Sequence, residues 1–256
     1  MQLVNFASGS KGNSTLVTLG ETHLLIDCGI SFRRLQDGLN ACGVSLDEIQ
    51  GVIVTHLHTD HIAGLPVWHR NSRLRFFVPE LVARCAVQMA GASRGDSRFA
   101  FYRPGWRCRV GDVELSSFSV SHDAPETVGL QLAGEDLRLA YLTDLGTVAD
   151  EHQELLERQD VIFLEANHEP ELVARSFYPA ATKRRILGAK GHLSNRQALA
   201  LLGSLTHPPR AVVFGHLSEN NNSPELLRSR VDECRLGDCV EHVAVASQRA
   251  ITSIKV

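Results

Sequence analysis

The chain has 256 residues with a formal net charge of −3, and 43% of them are hydrophobic and 21% charged, the composition of a globular protein. Weak acidity excludes bulk coating of nucleic acid or anionic membrane, so any affinity for phosphate must be local. No apolar run approaches the ~20 residues a membrane helix needs. The polar start Met1-Gln2-Leu3-Val4-Asn5 is unlike a signal sequence, and the expectation is a cytoplasmic protein with no membrane contact. Cys28, Cys42, Cys85, Cys108, Cys234 and Cys239 are scattered without a CxxC pair and are expected to be reduced.

In chain order, short strands come first: Gln2–Ala7, Thr15–Leu19 and Leu24–Asp27, with the glycine- and serine-rich turn Ser8-Gly9-Ser10-Lys11-Gly12-Asn13-Ser14 after the first. Phe32, Leu35, Leu39 and Cys42 recur at helical spacing, and Gly43 is placed to end that helix. The β-branched run Gly51–Thr55 predicts a buried strand that delivers the chain to His56. Next come a strand at Phe76–Val78, a helix from Pro79 to Met89, and strands over Phe99–Tyr102, Val113–Val120, Val128–Leu132 and Leu137–Leu142. This strand content predicts antiparallel or mixed sheet. Helices follow at Val148–Arg158, Tyr178–Leu187, Ser194–Leu205 and Ser223–Arg235, interleaved with strands Val161–Glu165, Ala211–Phe214 and Val243–Ala246. Ser194 with Gln197 fits a capping box, and Ser223-Pro224 fits an N-cap followed by proline at the first helical position. No internal repeat or linker composition appears, so residues 1–256 read as one domain.

Twelve histidines are the unusual count. Thr55-His56-Leu57-His58-Thr59-Asp60-His61 packs four metal-ligating side chains directly after an apolar strand. In a turn leaving a strand end, His56 and His58 can face one metal while Asp60 and His61 turn toward a second; a helix there would scatter them. Imidazole suits zinc, iron and manganese. His122, Asp144 and His216 each lie just beyond an apolar run, where a sheet edge can bring ligands together. A lone histidine at a strand end is often only a hydrogen-bonded structural residue; beside the dense cluster, the three form a pattern.

These residues resemble the metallo-β-lactamase superfamily, with its motifs falling in order on Asp27, His56–His61, His122, Asp144 and His216. The resemblance implies an α/β fold, an αββα four-layer sandwich with a two-metal site at one edge. It implies one metal on His56, His58 and His122, a second on Asp60, His61 and His216, Asp144 as the bridge, and Asp27 orienting a ligand or the cluster loop from behind. The phrases Ser8–Ser14, Val120–Ala124, Glu165-Ala166-Asn167-His168, Gly191–Asn195 and His216–Asn221 are similar to those of YycJ/WalJ-type nucleases. Characterised members are implied to be DNA exonucleases working from 5′ ends, with two divalent ions as cofactors: zinc as the expected bound ion, manganese or iron as alternatives. The other enzymatic reading is a small-molecule, cyclic phosphodiesterase of the same fold; a regulatory metal-binding protein would be expected to have lost a ligand. No obligate protein partner is implied.

Two cations about 3.5–4 Å apart can hold a bridging hydroxide near neutral pH and neutralise phosphate charge. An alkoxide leaving group still needs a proton. Asp60 and His192 are therefore the candidate catalytic residues, His192 as the acid, in Lys190-Gly191-His192-Leu193-Ser194, where the glycine permits close approach and the following helix would aim its amides at the site. Glu165 or His168 is expected to orient it. Lys183, Arg184, Arg185 and Lys190 form the densest basic segment, either a solvated helix face or a set of phosphate contacts; Ser194, Asn195 and Asn221 are further candidates for the substrate phosphates.

Overall fold

The computed structural model describes residues 1–256. Its strands are β1 (Gln2–Ala7), β2 (Ser14–Leu19), β3 (Thr22–Ile26), β4 (Ile49–Ile53), β5 (Phe76–Pro79), β6 (Phe99–Tyr102), β7 (Arg107–Val110), β8 (Val113–Ser119), β9 (Val128–Ala133), β10 (Arg138–Leu142), β11 (Val161–Glu165), β12 (Ala211–Gly215), β13 (His242–Val245) and β14 (Thr252–Lys255). Its helices are α1 (Phe32–Cys42), α2 (Thr59–Ile62), α3 (Leu65–Asn71), α4 (Ala83–Met89), α5 (Asp150–Leu156), α6 (Pro170–Arg175), α7 (Ala180–Leu187), α8 (Asn195–Gly203) and α9 (Pro224–Glu233).

The strands form two seven-stranded sheets, ordered β14-β1-β2-β3-β4-β5-β6 and β13-β12-β11-β10-β9-β8-β7. Both are mixed. β3 to β6 are parallel in the first sheet and β10 to β13 in the second, while the remaining pairs are antiparallel.

Side-chain alternation explains why the central strands read as unbroken apolar runs. In β10, Leu139 and Tyr141 face the other sheet while Ala140 and Leu142 face the helices; in β12, Val213 faces inward and Val212 and Phe214 outward. Leu24 and Ile26 of β3 likewise join the core between the sheets, and Leu25 joins the core under α1, α3 and α4. A strand buried on both faces has no polar side to show. The four-layer sandwich therefore has three cores: one between the sheets and one under each helical layer.

Helix ends follow local chemistry. Ser31 caps α1 by accepting from the Arg34 amide at 3.3 Å, and Gly43 ends it in the left-handed region at φ 70°. The Ser194 capping box and the Ser223-Pro224 start are both present.

Three expectations need correction. Pro79 closes β5 and a 3-10 turn over Glu80–Val82 precedes α4, so the helix begins later than its composition suggests. β7, β14, α3 and α6 were not expected, being short segments whose polar residues hide their pattern; β7 is a sheet-edge strand with arginines on its exposed face. The histidine cluster is not wholly a turn, because Asp60 and His61 ride on the one-turn helix α2, with His58 at its N-cap. One turn is too short to scatter them. No helix is long and apolar enough to cross a membrane.

Candidate metal centre

The functional side chains gather where parallel strands end. His56 and His58 follow β4, Asp144 follows β10, Glu165 ends β11, and His216 follows β12. His122 comes in from antiparallel β8. Carboxyl ends of parallel strands share one edge of the sheet, which is why distant residues meet there. Asp27, Asp144 and His216 each turn away from their strand in the left-handed region, at φ 63°, 57° and 55°. Aspartate and histidine tolerate that conformation better than most residues, and such strain concentrates at functional sites.

Two groups of donors result. The ligating atoms of His56, His58, His122 and Asp144 lie within 4.8 Å of one another, and so do those of Asp60, His61 and His216. Asp144 stands between the groups: Oδ1 is 3.6 Å from His122 Nε2 and Oδ2 is 3.1 Å from His61 Nε2. Asp60 Oδ2 lies 3.4 Å from His61 Nε2 and 3.3 Å from His216 Nε2.

The residues fit a cation. His56 Nε2 and Asp144 Oδ2 are buried with no hydrogen-bond partner, an arrangement costly in an apolar interior unless a metal takes the lone pairs. Burial drives the imidazoles of His56, His58 and His122 toward the neutral form a ligand needs. Burial opposes charge on Asp144, but His216 and His61 outweigh it and hold the carboxyl well below its usual range. Burial likewise opposes charge on His61 and His216, yet the carboxylates around them raise both. The cluster thus concentrates negative charge that a divalent ion would neutralise.

Behind the donors stands a second set of contacts. Asp27 Oδ2 accepts from His61 Nδ1 at 2.7 Å, and its Oδ1 accepts from the Thr55 amide at 2.8 Å. Glu165 Oε1 accepts from both His216 Nδ1 and His192 Nδ1 at 2.8 Å, while its Oε2 receives the amides of Leu145 and Leu193 at 3.1 Å. Burial raises the Glu165 pKa, but His192 and His216 bring it down to about 2. His192 is raised in return, because Glu165 outweighs burial. Held by Nδ1, His192 keeps Nε2 free, and its side chain is 17% exposed at the mouth of the site. The further grouping of Asp144, Glu165, His192 and His216 is this network, with two imidazole N–H groups turned to a carboxylate.

A family comparison agrees with this geometry: the beta-lactamase superfamily domain matches residues 22–217. The chain belongs to the metallo-β-lactamase superfamily. It is 34% identical over 228 residues to an exodeoxyribonuclease YycJ of Bacillus anthracis, covering 89% of this chain and 86% of that one. It is 32% identical over 222 residues to an exodeoxyribonuclease WalJ of Streptococcus pneumoniae, covering 86% and 82%. These likenesses place it in the YycJ/WalJ branch, as a metal-dependent hydrolase. Zn(2+)-bound PqqB from Methylobacterium extorquens shares the fold, with a TM-score of 0.73, 16% identity and full coverage of both chains.

The metallo-β-lactamase frame explains residues whose roles the sequence hid. Ser8 Oγ accepts from the His216 amide at 2.7 Å, and Asn167 Nδ2 donates to the His216 carbonyl at 2.7 Å, together fixing the strained turn after β12. Asn13 Nδ2 donates to Asp60 Oδ2 at 3.1 Å. Gly29 carries no Cβ because one would lie 1.7 Å from the Asp60 carbonyl oxygen.

Other expected site residues fall elsewhere. Ser194, Asn195 and Asn221 are buried and turned into the protein: Ser194 caps α8, Asn195 Nδ2 bonds Glu169 and Asn222, and Asn221 Nδ2 bonds Ser218 Oγ while its buried Oδ1 has no partner. They are therefore withdrawn as phosphate contacts. Of the first amides of α8, that of Asn195 goes to the His168 carbonyl and that of Gln197 to Ser194 Oγ. His168 makes no hydrogen bond to His192; it is buried, its Nδ1 is unpaired, and burial lowers it to about 4. At Gly191 a Cβ would meet the Arg185 carbonyl at 2.2 Å, so the glycine lets the chain pack against the end of α7.

Asp27→Asn should show how far orientation matters. One carboxylate oxygen becomes an NH2 group facing a network built from donors, so His61 loses its fixed orientation. The expected outcome is metal affinity roughly 10- to 100-fold weaker, measured by chelator competition. Unchanged affinity would make Asp27 a folding residue only.

Proposed function

We propose that the protein is a DNA exonuclease that acts from 5′ ends, in the cytoplasm, as one domain spanning residues 1–256. His56, His58 and His122 would hold one divalent cation, Asp60, His61 and His216 a second, and Asp144 both. The observation that carries the reading is the likeness, over most of both chains, to relatives named exodeoxyribonucleases, with the full donor set present at one sheet edge. It favours DNA over a small cyclic phosphodiester. Zinc is the expected ion, with manganese or iron compatible with the same donors.

When bound, such cations supply Lewis acidity that acidifies water and neutralises phosphate charge. The chain's own residues do the rest. Asp27 and Glu165 hold His61 and His216 by Nδ1, so that each directs Nε2 toward Asp60. Glu165 also holds His192 by Nδ1, and the free Nε2 of that imidazole would deliver a proton to the departing oxygen. Asp60, 20% exposed at its side chain, lies at the open face of the cluster. The metal-loaded protein should degrade linear duplex DNA and leave cyclic phosphodiesters largely intact; the reverse preference would favour the small-molecule reading.

The basic segment supplies the local positive charge a mildly acidic chain needs. Arg184 has no carboxylate partner, Lys183 Nζ donates to the Ala174 carbonyl at 2.7 Å, and Arg185 pairs with Asp123 beside His58 and His122. Replacing Lys183, Arg184 and Arg185 together should weaken DNA binding and flatten its dependence on salt by about one logarithmic unit for each phosphate no longer neutralised. A salt slope equal to wild type would return α7 to a solvated face.

A further inference from the structure

Phe177 is fully exposed, at 107% of its reference accessibility, just before α7. A single exposed phenylalanine is ordinary on most protein surfaces. Its surroundings are not ordinary. From Leu172 to Arg196 the chain has no carboxylate and carries Arg175, Lys183, Arg184, Arg185, Lys190 and Arg196, in a protein whose net charge is −3. α7 itself buries none of its side chains.

Both ends of this segment are tied to loops that carry the metal-binding histidines. At one end Tyr178 Oη accepts from Asn220 Nδ2 at 2.7 Å, four residues past His216. At the other, Ser121 Oγ donates to the Ala189 carbonyl at 2.9 Å and Arg185 pairs with Asp123, one residue to either side of His122. The segment thus runs along the rim of the site from the His216 loop to the His122 loop, with Phe177 at the His216 end. α7, Ala180–Leu187, is about 12 Å long, and with Phe177 just before its start and Arg185 near its end the two lie a few nucleotide steps of a stacked strand apart.

We infer that Phe177 is a stacking platform for a base of the strand held at the site, a few nucleotides from the scissile phosphate. Aromatic faces interleaved with cations bind single-stranded nucleic acid without reading its sequence, because every base offers a π-face and every nucleotide a phosphate. The cations of the segment disfavour the other common occupant of an exposed aromatic, a second copy of this same positively charged face. The inference rests on the exonuclease reading and assigns a position on the substrate to that activity.

The test is a cycle of substitutions on protein and DNA. A series of 5′-phosphorylated strands, each with one abasic nucleotide at successive positions from the 5′ end, is digested by the metal-loaded wild type and by Phe177→Ala. In the wild type, one position a few nucleotides in should lower kcat/KM by about 5- to 150-fold, the range for removing one stacked base. Phe177→Ala should lose as much on intact DNA and nothing further on the strand abasic at that position, and Phe177→Trp should restore the loss. Additive losses, or no sensitive position in a wild type that digests DNA, would overturn the stacking role alone. A wild type that digests no DNA would overturn the exonuclease reading as well. A change of oligomeric state in Phe177→Ala on sedimentation would make Phe177 a subunit contact and overturn the inference.

Discussion

Asp144→Ala should empty both halves of the site together. Its two oxygens face different donor groups, Oδ1 toward His122 and Oδ2 toward His61, so one substitution would remove a donor from each. Elemental analysis of the purified variant should show metal falling from about two ions per chain toward none, and hydrolysis should fall with it, because the proposed displacement would need both cations. Asp144 sits in the left-handed region at φ 57°, where alanine adds a backbone cost of roughly 1–2 kcal/mol. Asp144→Asn, which tolerates that backbone, separates folding from ligation and should also lose metal from both halves. Two tightly held ions in either variant would remove the bridging role.

His192→Ala should do the opposite, keeping metal and losing chemistry. The imidazole is tied to Glu165 by Nδ1, and its Nε2 has no protein partner. DNA cleavage should slow by roughly 100- to 10,000-fold, the usual effect of removing a positioned acid. A nitrophenyl phosphodiester releases a phenoxide that departs without a proton, so the same variant should be far less impaired on it. Equal losses on both substrates would make His192 a positioning residue, and loss of metal would make it a ligand. Glu165→Gln should be worse than His192→Ala in one respect: Glu165 also fixes His216, so metal affinity should fall along with the proton transfer.

Much of the site was readable in the chain because its chemistry is locally dense. His56, His58, Asp60 and His61 fall within six residues, and Asp144 and His216 sit just past apolar strands, where a sheet edge can gather them. The central strands were readable for a related reason, since burial on both faces leaves a continuous apolar run. What stayed hidden depends on contacts between distant parts of the chain. Ser8 reaches the His216 amide across 208 positions, and Asn13 reaches Asp60 across 47; nothing in a serine–glycine turn announces either partner. Ser194, Asn195 and Asn221 were misread because a polar residue near a site looks the same in sequence whether it faces substrate or, as Asn195 does with Glu169 and Asn222, a buried network. The edge strands β7 and β14 escaped because one face of each is exposed and polar.

The most direct measurement is the digestion of linear duplex DNA by the metal-reconstituted chain, with the label at the 5′ end in one preparation and at the 3′ end in the other. The account predicts that the 5′ label is released first in short products while the 3′-labelled strand shortens progressively, that a 5′ phosphate alters the rate, and that Asp144→Ala abolishes both. Release of the 3′ label first would contradict the proposed polarity. An undigested strand in a protein that holds its metals and hydrolyses a small phosphodiester would contradict the account at its centre.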